Sequence, residues 1–234
     1  MTIAIGIVGC AGRMGRMLLK EVLAMDGYVL SGGTEPPGQA VGKDLGVLVG
    51  GDKLGVTVTE DAVALFSTSD AVIDFTVPAA TRIHAEAAAQ TGTAYVVGTT
   101  GLSDEDQEGV NEAAQKAPVV QAANFSIGVN LLFALTKQVA ATLDTDYDVD
   151  ILEMHHRHKV DAPSGTAIEL GKAVASGRNI LFEDVARYSR EGQTGARPTG
   201  EIGFAALRGG GVIGDHTVLF ANEVERLEFT HKAG

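Results

Sequence analysis

The first sixteen residues limit the fold more than any other stretch. Ile3-Ala4-Ile5-Gly6-Ile7-Val8 is a short apolar run that breaks at Gly9-Cys10-Ala11-Gly12-Arg13-Met14-Gly15-Arg16. A helical pattern follows at once, with Met14, Met17, Leu18, Glu21, Val22 and Met25 at spacings of three and four. A buried strand, a glycine turn and a helix in that order open a βαβ unit, and such units build parallel sheets. Glycines let a backbone approach a phosphate closely, and a helix N-terminus offers free N–H groups with a partial positive charge. The spacing is Gly-x-x-Gly-x-x-Gly, a variant of the commoner Gly-x-Gly-x-x-Gly. Glu35 follows Gly15 by 20 residues and closes the next apolar run, where a carboxylate can accept from the hydroxyls of an adenosine ribose. A tight strand–helix turn and an ordinary surface Glu would show the same residues one by one. Taken together, with Arg13 beside the turn, they point to dinucleotide binding.

The rest of the first half repeats the alternation. Tyr28 to Leu30 restarts an apolar strand, and Pro36 to Gly55 reads as a Gly- and Pro-rich loop with a short strand after it. Asp70 to Phe75 is a strand, Pro78 to Gln90 a helix, and Ala94 to Val97 a strand ending at Gly98. Ser103 with Asp106 three residues on predicts a capped helix that runs to Lys116, and Val119 to Ala122 is the next strand. The character then changes. A long helix is predicted over Val129 to Thr142, a strand over Val149 to Met154, and a helix from Ser164 to Val174. After Ala186 the pattern is nearly all strand, with Ile202 to Leu207, Val212 to Phe220 and Arg226 to His231. The expected architecture is α/β: a Rossmann-like dinucleotide-binding domain over residues 1–127, then an α+β domain with a mostly antiparallel sheet over 128–234.

Charge and cysteine content narrow the function. Eighteen Lys and Arg stand against 30 Asp and Glu, a formal net charge of −12. Such a chain is not a general binder of nucleic acid or of anionic membranes, and a small anion needs a local positive cluster. The single Cys excludes an intrachain disulfide framework and fits a reducing compartment. No stretch approaches the roughly 20 apolar residues of a membrane span, and residues 1–8 do not read as a secretory signal.

The positive cluster is Glu153-Met154-His155-His156-Arg157-His158-Lys159, with Asp161-Ala162-Pro163-Ser164-Gly165-Thr166 behind it. Ser164 can cap a helix whose first N–H groups bind a carboxylate, and Lys159 adds a point charge. That is a pocket for a dianion. Two other readings stay open: a metal site on His156 and His158, which would need further ligands, and a solvated strand end. In the first half, Gly98-Thr99-Thr100-Gly101 follows a strand and can contact a ribose or a nicotinamide, or can be a plain βα loop. Ala122-Ala123-Asn124-Phe125-Ser126 sits before the domain change and is either packing or the frame of a ring.

These segments resemble the 4-hydroxy-tetrahydrodipicolinate (dihydrodipicolinate) reductase family. The resemblance runs in unbroken order from Ile3 to Ala233. It rests on Gly9 to Arg16, Asp74-Phe75-Thr76, Gly98 to Gly101, Ala123 to Asn130 and Glu153 to Ala167. Tyr188 to Gly192, Gly214-Asp215-His216-Thr217 and Thr230-His231-Lys232-Ala233 complete it. It implies a cytoplasmic homotetramer, joined through the second domains' sheets, that uses NADH or NADPH to reduce a small cyclic dicarboxylate imine in diaminopimelate and lysine biosynthesis. By matching position it implies that Gly9, Cys10, Ala11, Gly12, Arg13 and Met14 hold the pyrophosphate and Glu35 the adenosine ribose. Gly98, Thr99 and Thr100, with Ala122, Ala123, Asn124 and Phe125, would frame the nicotinamide end. His155 would be the acid–base residue and Lys159 the proton donor. His156, Lys159, Ser164, Gly165 and Thr166 would hold the substrate, with no metal. Relatives that use NADPH well often carry a basic residue directly after the acidic one, whereas Pro36 stands there in this chain and Glu35 would repel a 2′-phosphate, so a lean to NADH is expected. A semialdehyde dehydrogenase would need a catalytic Cys in the second half, and the one Cys lies in the glycine loop. A redox-nucleotide sensor without activity should lack the acid–base cluster. The resemblance also implies a return of the chain to the first domain beyond Ala233. Gly234 precedes that return, and a version carrying it is expected to melt higher or to orient its domains differently.

Overall fold

The computed structural model describes residues 2–234. They form two compact units that divide between Ala122 and Ala123.

The first unit alternates strand and helix. β1 (Ile3–Val8) is followed by α1 (Arg13–Ala24), β2 (Tyr28–Thr34), α2 (Leu45–Leu48), β3 (Val58–Thr59) and α3 (Ala62–Ser67). β4 (Ala71–Asp74), α4 (Pro78–Thr91), β5 (Ala94–Val97), α5 (Asp104–Ala114) and β6 (Val119–Gln121) complete it. The strands lie in the order β3-β2-β1-β4-β5-β6, and every pairing is parallel. The order reverses between β1 and β4, so the loops after these two strands open at the switch point where ligands of such sheets bind.

The elements form where local chemistry directs them. α1 buries Gly15, Leu19 and Val22 on one face, the period expected of an amphipathic helix. The Ser103–Asp106 capping box starts α5 as the sequence predicts. Asp44 organises the loop predicted over Pro36 to Gly55: its carboxylate accepts from Gly46, Val47, Leu54 and Gly55 N–H groups and so starts α2. Two apolar clusters fill this unit, one around Ile7, Leu19, Leu45 and Val58, the other around Phe66, Val72, Tyr95 and Val97. Each large side chain buried in this way contributes roughly 1.5–3 kcal/mol.

The second unit contains α6 (Ile127–Thr142), β7 (Asp148–His155), α7 (Gly165–Arg178), α8 (Phe182–Val185), β8 (Ala186–Arg187), β9 (Ile202–Arg208), β10 (Asp215–Ala221) and β11 (Arg226–Lys232). Its sheet runs β11-β10-β7-β9-β8. β10 pairs antiparallel with both β7 and β11, as the sequence pattern suggests. β9, however, lies parallel to β7 and β8, which makes the sheet mixed. A parallel neighbour needs a crossover, and α7 supplies it between β7 and β9. One face of the sheet packs on α6 and α7 through Leu132, Leu170, Val174, Ile151, Phe204 and Phe220.

The alternation in β7 determines what this unit can do. Val149, Ile151, Glu153 and His155 are buried in turn, whereas Leu152 between them is exposed. Period two therefore places Glu153 and His155 on the face that carries the core. His216 shares that face in β10 with Val218 and Phe220, directly opposite Glu153.

Candidate active site

In the first unit the glycine loop has the geometry that a pyrophosphate needs. Gly9 turns the chain with φ +65°, and a Cβ there would lie 2.6 Å from Thr76. Gly15 lets α1 sit directly on the Gly9 carbonyl and the Cys10 backbone. Gly12 is the N-cap of α1, and no side chain caps that end. The first N–H groups of the helix thus lack intrahelical partners, the arrangement that suits an anion. Glu35 accepts from the Ala11 N–H at 2.5 Å, which ties the end of β2 to the loop.

A cavity of about 490 Å³ opens beside this loop, within the usual range for small-molecule sites. Gly9, Gly12 and Glu35 line it, as do Pro36, Glu60, Thr76 and His84. Cys10 is buried, and its thiol is pushed up to about 12 by burial first and the Glu35 charge second. It remains a protonated core group and offers only its backbone to a ligand. Arg13 and Met14 open α1 with exposed side chains. A larger concavity, about 630 Å³, lies between α4 and α5 with Arg82, Glu105 and Glu112 on its walls; it adjoins no strand end.

Behind the cavity lies a buried polar network that sequence reading did not find. Asp74, at the end of β4, is fully buried. Its carboxylate accepts from Thr76 N–H at 2.8 Å, Thr76 Oγ1 at 2.6 Å and Tyr95 OH at 2.6 Å. His84 Nδ1 lies 2.7 Å from it, and Thr81 and Thr99 hydroxyls lie at 3.2 Å. Burial works against its charge, yet the His84 hydrogen bond and charge, then the Thr76 and Tyr95 donors, hold the carboxyl down to about 2. Thr99 is buried with its hydroxyl in this network, while Thr100 is exposed. Gly98 donates its N–H to the Asp74 carbonyl at 2.8 Å, and Ala122 donates to the Val97 carbonyl at 3.2 Å.

In the second unit the Glu153 carboxylate meets His155 Nδ1 at 2.6 Å. Because a carboxylate only accepts, Nδ1 carries the proton, and Nε2 is the nitrogen that can exchange one. His216 stacks edge-on to His155 with centroids 5.0 Å apart. Burial first, then the neighbouring His155, push the His216 imidazole down to about 4, so it is neutral at pH 7. His216 Nε2 lies 2.9 Å from Ser164 Oγ, and Ser164 also accepts from the Ala167 N–H as N-cap of α7. The N–H groups of Gly165 and Thr166 in the first turn of α7 have no intrahelical partner. Asn124 donates to the Thr166 hydroxyl at 3.2 Å and accepts from the Ser126 N–H at 2.8 Å, which joins the segment holding Ala123, Asn124 and Phe125 to α7. Lys159 is mostly buried and pairs with Asp161 at 2.8 Å, while its own N–H reaches the His156 carbonyl. His156 and His158 lie with ring centroids 6.2 Å apart, and among the described residues no group of three or more His, Cys, Asp or Glu could hold a metal. The structure thus gathers His155, Ser164, Gly165 and Thr166 about one strand end and one helix start. It adds Glu153, Arg208 and His216, to which the sequence reading gave no role.

A parallel sheet in this order, a glycine loop with an acceptor carboxylate at its switch point, and an α+β unit with a buried His–Glu pair define a nicotinamide-nucleotide-dependent oxidoreductase. The residues fit that cofactor: the loop lacks the Cβ atoms that would fill the phosphate cradle, and the start of α1 is uncapped.

Residues 3–125 match the family described as dihydrodipicolinate reductase, N-terminus, and residues 128–234 its C-terminus. The chain belongs to the dihydrodipicolinate reductase family. It is 53% identical over 228 residues to the 4-hydroxy-tetrahydrodipicolinate reductase of Dinoroseobacter shibae, covering 97% of this chain and 85% of the relative. The enzyme of that name from Parvibaculum lavamentivorans is 52% identical over 233 residues, covering 99% and 86%. The solved structure of a dipicolinate-bound dihydrodipicolinate reductase from a Paenisporosarcina species superposes with a TM-score of 0.72 at 26% identity, covering 100% of this chain and 89% of that one. A myo-inositol dehydrogenase from Lactobacillus casei, at 15% identity and a TM-score of 0.60 with 100% and 76% covered, shares the fold alone. The protein is an NAD(P)H-dependent reductase of lysine and diaminopimelate biosynthesis.

Proposed function

We propose that residues 1–127 hold the nucleotide and that residues 128–234 bind the cyclic imine dicarboxylate derived from 4-hydroxy-tetrahydrodipicolinate and deliver the proton. The observation that carries this reading is the His155 imidazole, fixed by Glu153 at the end of β7 beside the Ser164-capped start of α7. The N–H groups of Gly9 to Met14 receive the pyrophosphate, and Glu35 accepts from the adenosine ribose. Gly98, Thr99 and Thr100 serve the nicotinamide half, as do Ala122, Ala123, Asn124 and Phe125. When bound, the reduced nicotinamide supplies the hydride. Ser164, Gly165 and Thr166 hold one substrate carboxylate on the dipole of α7, and His156 and Lys159 hold the other. Reduction of a conjugated imine leaves negative charge on the ring, and His155 with Lys159 stabilises that charge and supplies the proton. In a coupled assay with the pathway's synthase product, loss of reduced-nucleotide absorbance above background is expected; none would overturn the reading.

Cofactor choice follows from charge. The cavity beside the glycine loop carries two carboxylates, Glu35 and Glu60, and no Lys or Arg among its described lining residues. The register Thr34↔Thr59 brings these two Glu to the ends of adjacent strands. A ribose 2′-phosphate there meets repulsion without compensation. Steady-state kinetics are expected to give a higher kcat/KM with NADH than with NADPH, and the reverse order would refute the charge argument.

The sheet face turned away from α6 and α7 exposes Leu152 and Leu207. This supports association of four copies through the second units, in keeping with a cytoplasmic enzyme. Among the described residues no helix is long and apolar enough to cross a membrane. Light scattering is expected to report four chain masses; a monomer at micromolar concentration would exclude the tetramer.

A further inference from the structure

Glu153 is a charged side chain in a core position, 1% exposed. A carboxylate placed there is strongly destabilising unless its lone pairs are met. They are met, two donors to each oxygen. Arg208 donates in a fork, Nη1 to Oε2 at 2.7 Å and Nη2 to Oε1 at 2.8 Å. The Ser164 N–H reaches Oε1 at 3.0 Å, and His155 Nδ1 reaches Oε2 at 2.6 Å. A two-pronged guanidinium contact is the strongest and most directional anchor a carboxylate can have. Arg208 is held in its turn, donating to the Leu207 carbonyl at 2.6 Å and to the Asp161 carbonyl at 2.7 Å. One buried carboxylate thereby joins the end of β7, the end of β9, the start of α7 and the loop that bears Lys159.

We propose that Glu153, locked by Arg208, is the positioning residue of the acid–base group: it fixes His155 as the Nδ1–H form, sets a fixed anion against it and holds it in register with the carboxylate-binding start of α7. The inference rests on the assignment of His155 as acid–base residue. Burial of Glu153 opposes its charge, but Arg208 first, then His155 and the Ser164 N–H, keep its carboxyl below the ordinary range. It is ionised at neutral pH. Its charge therefore acts on His155 at 2.6 Å without competition from water. Nε2 remains for proton exchange, and Gly214 leaves room beside it: a Cβ at that position would lie 3.0 Å away.

The test separates charge from shape. Glu153→Gln keeps the side-chain length and an oxygen that accepts the Nδ1–H, removes the negative charge, and turns its NH₂ toward Arg208 Nη2 and the Ser164 N–H, so the fold of the variant is checked by thermal melting first. With imidazolium as the acid, rate falls as pH rises, and loss of the anion makes that fall occur at lower pH. Arg208 stands opposite His155 in β9 and His216 faces it from β10, with Lys159 of the loop and His231 of β11 acting on His216 in turn; all are retained in the variant. The expected result is a kcat at least tenfold lower, with the alkaline limb of kcat/KM moved down by about one pH unit or more. The dissociation constant for NADH should stay unchanged. Glu153→Asp keeps the charge, and its limb is expected at the wild-type pH even if kcat drops. An unshifted limb in Glu153→Gln, or equal shifts in the two variants, overturns the proposal. If neither variant folds, the ¹⁵N imidazole spectrum of the wild-type protein decides. It should show neutral His155 protonated at Nδ1, and protonation at Nε2 would refute the assignment. Failure of the underlying reading is distinguishable, because then removal of His155 itself leaves turnover intact.

Discussion

Replacing His155 by Gln is expected to lower kcat by about 10²- to 10⁴-fold, the usual contribution of a general acid, while NADH binds as before. That loss corresponds to about 3–5 kcal/mol of transition-state stabilisation. Gln suits the test because its amide can still donate to Glu153, so the buried carboxylate keeps its donor and the core stays intact. Ala would leave Glu153 one donor short and would mix instability with lost chemistry. The glycine loop and Glu35 belong to the other compact unit, which leaves the nucleotide dissociation constant as an internal control. Turnover and NADH fluorescence titration, measured on the same sample, check both halves of the expectation. Turnover within threefold of wild type would assign the proton to another group, with Lys159 the first to consider.

Local chemistry made much of this legible from residues alone. The strand–glycine–helix opening, the Ser103–Asp106 cap and the Ser164 cap each depend on side chains a few positions apart. The parallel seat of β9 beside β7 was not legible, because only the crossover through α7 determines it. Nor was the pairing of Glu153 with Arg208, which are 55 positions apart and meet only when β7 and β9 are neighbours. One signal was available: Val149, Ile151, Glu153 and His155 alternate in step, so the strand that buries the first two must bury the others. A buried Glu followed two residues later by a buried His already calls for a compensating cation. His216 escaped for a related reason. Its neighbours in sequence give no hint that β10 lays it against Glu153 and His155. The loop around Asp44 and the one-turn helices α2 and α3 were hidden because four to six residues carry too little periodicity to stand out.

Asp74→Asn is expected to destabilise the first unit by about 3–5 kcal/mol, the range for breaking a buried charged network from one side. The carboxylate oxygens each take three donors, from Thr76 twice and Thr99 on one, and from Tyr95, Thr81 and His84 on the other. An Asn amide can present an oxygen to only one of these sets, and its NH₂ then faces three donors in a space without water. A melting temperature lower by roughly 12–20 °C follows for a unit of this size. The wild-type protein should also show the acid dependence that the network imposes. The folded carboxyl titrates at about 2, below its unfolded value of 3.8. Its contribution is therefore fully present above the unfolded value and is lost as pH falls from about 4 through 2, a change of about 2 kcal/mol. Urea unfolding between pH 5 and pH 2 should reveal that slope in the wild type and a shallower one in the variant; equal slopes would place the stabilisation elsewhere. The same substitution reaches the proposed nucleotide site, since Thr76 lines the cavity beside the glycine loop and its N–H and hydroxyl both rest on Asp74. Weaker NADH binding with an unchanged pH profile is expected of it. The Glu153 variant should do the opposite, moving the profile and sparing the nucleotide, so the two buried carboxylates separate the binding of the hydride donor from the delivery of the proton.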